Sequence, residues 1–215
     1  MLASNQRQRV VDLCVDLSQR GFLAGTGGNV ALRIDAELIA VTPSAIDYLS
    51  MTAADVCVVR LSDLEKVDGQ RDPSVETGLH AQLLRQRPEV NCSIHTHQPI
   101  ASACTLLGKP LHVTEAKARQ RLGRRVPMIG YMPSGTGLLA GMVKRAIRSD
   151  SNAYLMRNHG VLCCGDSIES AIEAVETLES QALAWLRKGM STHAHNHPEQ
   201  ADTLQRVRAV LGGIS

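Results

Sequence analysis

Ser93-Ile94-His95-Thr96-His97 places two histidines two residues apart at the end of a short apolar run that begins at Val90. The run predicts a buried strand over Val90–His95. Residues i and i+2 of a strand point to the same face, so His95 and His97 aim into one small volume, as two ligands of one metal would. A third candidate lies downstream in Arg157-Asn158-His159-Gly160, again after a short apolar run, Ala153-Tyr154-Leu155-Met156. Three convergent imidazoles with a fourth position open make the pattern of a catalytic zinc site rather than a structural one. Taken alone, the His-x-His pair could equally be a chance pair packed in a core or exposed on a loop.

Outward from this strand, the chain reads as short strands and amphipathic helices. Val10, Leu13, Cys14 and Leu17 repeat at helical spacing and predict a helix over 6–20 that stops at Gly21. A glycine-rich loop, Gly25-Thr26-Gly27-Gly28-Asn29, precedes strands at Val30–Ile34, Leu38–Thr42 and Val56–Leu61. Their short connections predict antiparallel pairing. Asp72-Pro73-Ser74 opens a helix running to about Arg87, with Ser or Asp as its cap and Leu79, Leu83 and Leu84 as its apolar stripe. A helix over Pro99–Leu107, a basic irregular segment over 109–125, a strand over Val126–Tyr131 and a helix over Gly137–Arg148 follow. Strands at Ala153–Met156 and Val161–Cys164 flank His159. A long helix capped by Asp166 or Ser167 comes next, with Glu169 in capping-box position after Asp166. His193-Ala194-His195-Asn196-His197 has no apolar framing and reads as a flexible surface tract rather than a metal site. A last amphipathic piece spans Ala201–Leu211. With no linker or repeat, the expectation is one α/β domain over 1–215, a mostly antiparallel sheet with helices on its faces.

Composition narrows the function. The 215 residues are 44% hydrophobic and 20% charged, as in an ordinary globular protein, and the net charge of +2 is spread along the chain. A nucleic-acid surface would need clustered Lys and Arg, and at 2% aromatic content base-stacking platforms are not expected. The apolar runs fall short of a membrane span, and Met1–Arg9 lacks the apolar core of a signal peptide, so a cytoplasmic protein is expected. Cys14, Cys57, Cys92, Cys104, Cys163 and Cys164 form no Cys-x-x-Cys pair and read as small buried hydrophobes. Cys163 and Cys164 would point to opposite faces of a strand.

Five pieces taken in order carry a resemblance. They are Gly27-Gly28-Asn29-Val30-Ala31-Leu32-Arg33, Thr42-Pro43-Ser44-Ala45-Ile46-Asp47-Tyr48, Pro73-Ser74-Val75-Glu76, His95-Thr96-His97 and Arg157-Asn158-His159-Gly160. Over residues 6 to about 188 their order and spacing resemble the class II aldolase/adducin-head family. The resemblance implies a three-layer α/β/α fold and a divalent metal, usually zinc, held by His95, His97 and His159 with Glu76 completing the set. It implies that Glu76 leaves the metal when substrate binds and serves as general acid/base, while the metal stabilises an enediolate. Without the resemblance, Glu76 reads as a carboxylate serving the dipole of the helix that Ser74 caps. The resemblance further assigns Gly28, Asn29, Ser44, Ala45 and Ser74 to a phosphate cradle, where glycines let backbone N–H groups approach an anion. His80, four residues after Glu76 on the same helix face, reads either as a neighbour of the site or as a packed, satisfied histidine.

The implied activity is zinc-dependent retro-aldol cleavage of a small phosphorylated ketose, of the L-fuculose 1-phosphate kind, to dihydroxyacetone phosphate and an aldehyde. The implied assembly is a homotetramer with its active sites at subunit interfaces. Departures from the family pattern keep alternatives open. Ala45 stands where the aldolases commonly have glycine, and Val75 where they have a second serine. No tyrosine occurs in 112–120, where the family's fuculose aldolases draw one from a neighbouring subunit; Glu115 or Lys117 are the proton-donor candidates there. A decarboxylase of a 3-oxo sugar acid, a 4-epimerase and a sugar-phosphate dehydratase share the same metal chemistry. A non-catalytic scaffold of the adducin-head type is disfavoured because all three histidines and Glu76 are present.

Overall fold

The computed structural model describes residues 1–212; the last three positions of the expected 1–215 span lie outside the described residues. The strand that carries the histidine motif, β5 (Cys92–Thr96), is buried along its whole length. It lies in the middle of an eight-stranded sheet. The strands are β1 (Asn29–Arg33), β2 (Leu38–Val41), β3 (Cys57–Arg60), β4 (Lys66–Asp68), β5, β8 (Met128–Ile129), β9 (Ala153–Met156) and β10 (Val161–Gly165). Their spatial order is β4-β3-β2-β1-β5-β10-β9-β8. Every pair is antiparallel except β8 with β9. Short connections account for the β1–β2, β3–β4 and β9–β10 pairs, because tight turns can join only antiparallel neighbours; β5 reaches β1 and β10 through long connections.

Alternation along the strands divides the interior into two cores. Val30, Leu32, Cys92, Ile94, Val161 and Cys163 face one side. There they pack against α1 (Ser4–Gln19), α3 (Pro99–Cys104), α4 (Ala116–Leu122) and α6 (Ile168–Asn196). Ala31, Ile39, Val41, Tyr154, Leu162 and Cys164 face the other side, against α2 (Thr77–Gln86) and α5 (Gly137–Ala146). This is the expected three-layer α/β/α arrangement, and Cys163 and Cys164 do face opposite ways. All six cysteines are buried and free. No helix among the described residues is long and apolar enough to cross a membrane.

Four local expectations are corrected. The helix expected from Ser74 begins at Thr77, with no side-chain cap. A bridge between Pro43 and Pro73 holds this segment extended beside the second motif, and the Ser74 amide donates to the Thr42 carbonyl at 3.0 Å. Glu76 therefore precedes the first helical turn instead of lying in it, and its amide donates to Ser74 Oγ at 3.2 Å.

The long helix is capped by Ser167 with Ser170, not by the pairing of Asp166 with Glu169: Ser167 Oγ accepts from the Ser170 amide, and Ser170 Oγ accepts from the Ser167 amide. Val126–Tyr131 is not one strand. Pro127 has no N–H to donate and separates β7 (Arg125–Val126) from β8. β7 pairs with β6 (Leu111–His112), and α4 fills the basic stretch between them.

The histidine tract is not a loose segment either. α6 runs 29 residues through His193 and His195, where nothing breaks it before Pro198. The His193 and His197 rings stack at 4.3 Å. The expected last piece is α7 (Ala201–Gly212).

Candidate metal centre

His95 is the fourth residue of β5 and has no exposed surface. It pairs with Asn29 of β1 on one side and Leu162 of β10 on the other. Its Nδ1 lies 2.8 Å from the Val161 carbonyl, which can only accept, so Nδ1 carries the proton. The Nε2 lone pair is thereby turned toward His97 Nε2, 3.0 Å away. His97 follows the end of β5. His159 lies in the tight β9–β10 turn, where Asn158 adopts a left-handed φ of 53°, a conformation asparagine tolerates. The three ring centroids are 4.8, 4.8 and 5.3 Å apart. The turn fits because of Gly160: a Cβ there would lie 2.5 Å from His97 Cδ2, 2.5 Å from the Thr96 carbonyl oxygen and 3.0 Å from His95 Cε1.

Glu76 closes the cluster. Its Oε2 is 3.3 Å from His95 Nε2 and its Oε1 is 3.1 Å from His159 Nε2. Asn29 Nδ2 donates to Oε2 at 2.7 Å, and Ser134 Oγ donates to Oε1 at 2.6 Å. Burial disfavours the carboxylate's charge, but the hydrogen bond with His159 and those from Ser134 and Asn29 outweigh it, holding Glu76 well below the usual carboxylate range. Burial lowers the His95 pKa to about 4 and lowers that of His97, so these imidazoles are neutral at physiological pH, as metal ligands must be.

The donor set fits a divalent ion. A tetrahedral ion with bonds of roughly 2.05 Å requires neighbouring donors about 3.4 Å apart. The observed 3.0, 3.1 and 3.3 Å separations approach that value. His95, His97 and His159 offer ligand atoms all within 4.8 Å of one another.

Among the other expected residues, Ser44 and Ser74 lie on the two segments bridged at Pro43 and Pro73. Ala45 is exposed and holds a left-handed φ of 51°, which a glycine would adopt without strain. Gly28 has a φ of +83°, and a Cβ there would lie 2.6 Å from the His95 carbonyl oxygen. The Tyr48 hydroxyl donates to the Gly28 carbonyl and ties the second motif to the first. The Asn29 side chain is turned to Glu76. Glu115 accepts from Gln181 of α6, and no hydrogen bond or ion pair among the described residues links it to the histidines. Ser134 was not legible in the sequence: Pro133-Ser134-Gly135 reads only as a turn before α5.

Buried, neutral histidines set a pH dependence. His80 is held at about 3 by burial, and His95 at about 4. Below their ordinary value near 6.5 the unfolded chain takes up protons that the folded chain refuses, so stability is level above that pH and falls below it. In the metal-free protein the urea midpoint is expected to drop steadily between pH 6.5 and pH 4. A midpoint unchanged down to pH 4.5 would show that these rings are not held neutral.

Similarity to known proteins agrees with this geometry. The chain is 32% identical over 177 residues to the methylthioribulose-1-phosphate dehydratase of Yersinia enterocolitica, covering 77% of this chain and 84% of that one. It is 30% identical over 180 residues to the 5-deoxy-D-ribulose 1-phosphate aldolase of Bacillus thuringiensis serovar kurstaki, covering 83% of each. A solved L-fuculose 1-phosphate aldolase superposes with a TM-score of 0.81 at 28% identity, covering 86% of this chain and 87% of that one. Residues 8–186 match the family described as Class II Aldolase and Adducin N-terminal domain, so the chain belongs to this family.

Proposed function

We propose that this protein is a zinc-dependent lyase that cleaves a small phosphorylated ketose to dihydroxyacetone phosphate and an aldehyde. The observation that carries the reading is the convergence of three imidazoles with a carboxylate 3.1 and 3.3 Å from two of them. His95, His97 and His159 would hold the metal, which when bound supplies Lewis-acid stabilisation of the charge that develops beside the substrate carbonyl.

The chain's own groups do the rest. Glu76 is charged at neutral pH and so can take a proton at Oε1 or Oε2 and return it. Asn29 and Ser134 hold those two oxygens in place. Gly28, Ser44, Ala45 and Ser74 are the proposed phosphate contacts. The proposal includes a cytoplasmic homotetramer, with the centre at a subunit interface. Apolar Val75, Tyr131 and Leu138, near Ser134 or Glu76 in sequence, stand exposed in the single chain, which supports it.

A second reading, dehydration of a methylthioribulose 1-phosphate type of substrate, is favoured by the Yersinia relative and by the absence of tyrosine in 112–120. The metal-loaded protein should be offered L-fuculose 1-phosphate, 5-deoxy-D-ribulose 1-phosphate and methylthioribulose 1-phosphate, and the products resolved by NMR. Dihydroxyacetone phosphate plus an aldehyde supports cleavage. Loss of water with the carbon chain intact supports the second reading. No turnover of any of them, with metal bound, contradicts both.

Ser134→Ala removes a hydrogen bond to a charged group, a contact of about 1.5–3 kcal/mol. It is expected to lower kcat/KM roughly ten- to hundredfold without unfolding the protein. Unchanged kinetics would remove Ser134 from the site.

A further inference from the structure

Behind Glu76 runs a chain of buried polar groups that leads away from the metal centre. His80 of α2 has no exposed surface. Its Nε2 lies 2.6 Å from Asn29 Oδ1 and its Nδ1 lies 2.7 Å from Ser93 Oγ. Three elements meet here: α2 presents His80 one turn after Glu76, β5 presents Ser93 on the same face as His95, and β1 presents Asn29 opposite His95. Burial keeps the His80 ring neutral, with a pKa of about 3, so one nitrogen carries hydrogen and the other does not.

The charged Glu76 carboxylate decides which. It can only accept, so the Asn29 amide must turn its NH2 toward Oε2. Its carbonyl Oδ1 then faces His80 and needs a donor, which must be Nε2–H. Nδ1, left bare, accepts from the Ser93 hydroxyl. Every hydrogen in the chain Ser93, His80, Asn29, Glu76 thus points toward the carboxylate. An amide flipped about its own axis would set Oδ1 against Glu76 and, against the Nε2–H tautomer, NH2 against N–H.

We propose that His80 is a positioning residue that, through Nε2–H, locks the Asn29 amide in the orientation that donates to Glu76. This accounts for a fully buried polar histidine beside the apolar Leu79, Ala81, Leu83 and Leu84 of α2. The consequence for turnover rests on the lyase reading of Glu76; the orientation itself does not.

Two measurements test the proposal separately. Long-range nitrogen–proton NMR on labelled metal-free protein at pH 7 should show His80 protonated at Nε2 and bare at Nδ1, with a slowly exchanging Asn29 NH2 pair. Protonation at Nδ1, or a freely rotating Asn29 amide, overturns it whatever the enzyme catalyses. His80→Gln, which can still donate to Asn29 Oδ1, is then compared with His80→Phe, which donates nothing. His80→Phe should lower kcat roughly tenfold or more, with KM and the affinity for cobalt(II) within about threefold of the parent. His80→Gln should recover most of kcat. Equal losses in both variants, or loss confined to stability, would reduce His80 to a packing residue. Should His80→Phe fail to fold, or the lyase reading itself fail for want of a substrate, the NMR result still decides the orientation.

Discussion

Glu76→Gln is expected to lower turnover by roughly 10²–10⁴-fold, the usual worth of a positioned general acid/base, while the metal stays bound. The amide has the shape of the carboxylate but cannot carry the proton. It also meets donors on both sides, since Asn29 Nδ2 and Ser134 Oγ each point a hydrogen at Glu76. The amide oxygen keeps the Asn29 donor while the amide nitrogen faces Ser134, whose hydroxyl turns to accept, so both anchors are expected to survive. The three histidines are untouched, and cobalt(II) titration should still show one site per chain. Activity within tenfold of the parent would mean that another group moves the proton. Loss of the metal instead would make Glu76 chiefly a ligand.

Gly160→Ala is expected to weaken metal binding by roughly five- to 150-fold, the equivalent of about 1–3 kcal/mol of overpacking. The added methyl would meet the Thr96 carbonyl oxygen and His97 Cδ2, each at 2.5 Å, and His95 Cε1 at 3.0 Å. A backbone carbonyl in the middle of a sheet cannot retreat, so the hairpin must, and it takes His159 with it. Gly141→Ala is the control. Its Cβ meets nothing within 4 Å in α5, and alanine there should add up to about 1 kcal/mol of stability without touching the site. Metal titration and urea unfolding of the two variants check both statements. Normal metal affinity in Gly160→Ala would show that the hairpin does not position His159.

Those two positions also show what the sequence could reveal. His95 and His97 are legible because strand alternation is a local rule, and His97, one residue past the end of β5, still converges on His95. His159 was legible because two apolar runs bracket it, and they do form β9 and β10. The onset of α2 was not legible, because Pro73 and Ser74 are held by a bridge to Pro43 thirty residues earlier in the chain, and helix propensity cannot report such a contact. The α6 capping box was displaced by one residue because Ser170 competes successfully for the role offered to Glu169.

Ser134 reaches Glu76 from 58 residues away on an unremarkable turn. His80 is both things that its spacing allowed, a packed and satisfied histidine and a neighbour of the site. Only the fold shows that Asn29 connects the two. Departures at Ala45 and Val75 were legible as substitutions, but their meaning was not: Ala45 keeps the left-handed turn, and Val75 packs beside Gly135 with its side chain largely exposed.

On the proposed reading, this centre takes a proton from the carbon beside a phosphorylated ketone. The direct measurement follows the hydroxymethyl protons of dihydroxyacetone phosphate by NMR in heavy water, with zinc-loaded and zinc-stripped protein. Stereospecific loss of one of the two protons is expected with zinc and none without it. No exchange, with zinc shown to be bound, would contradict it.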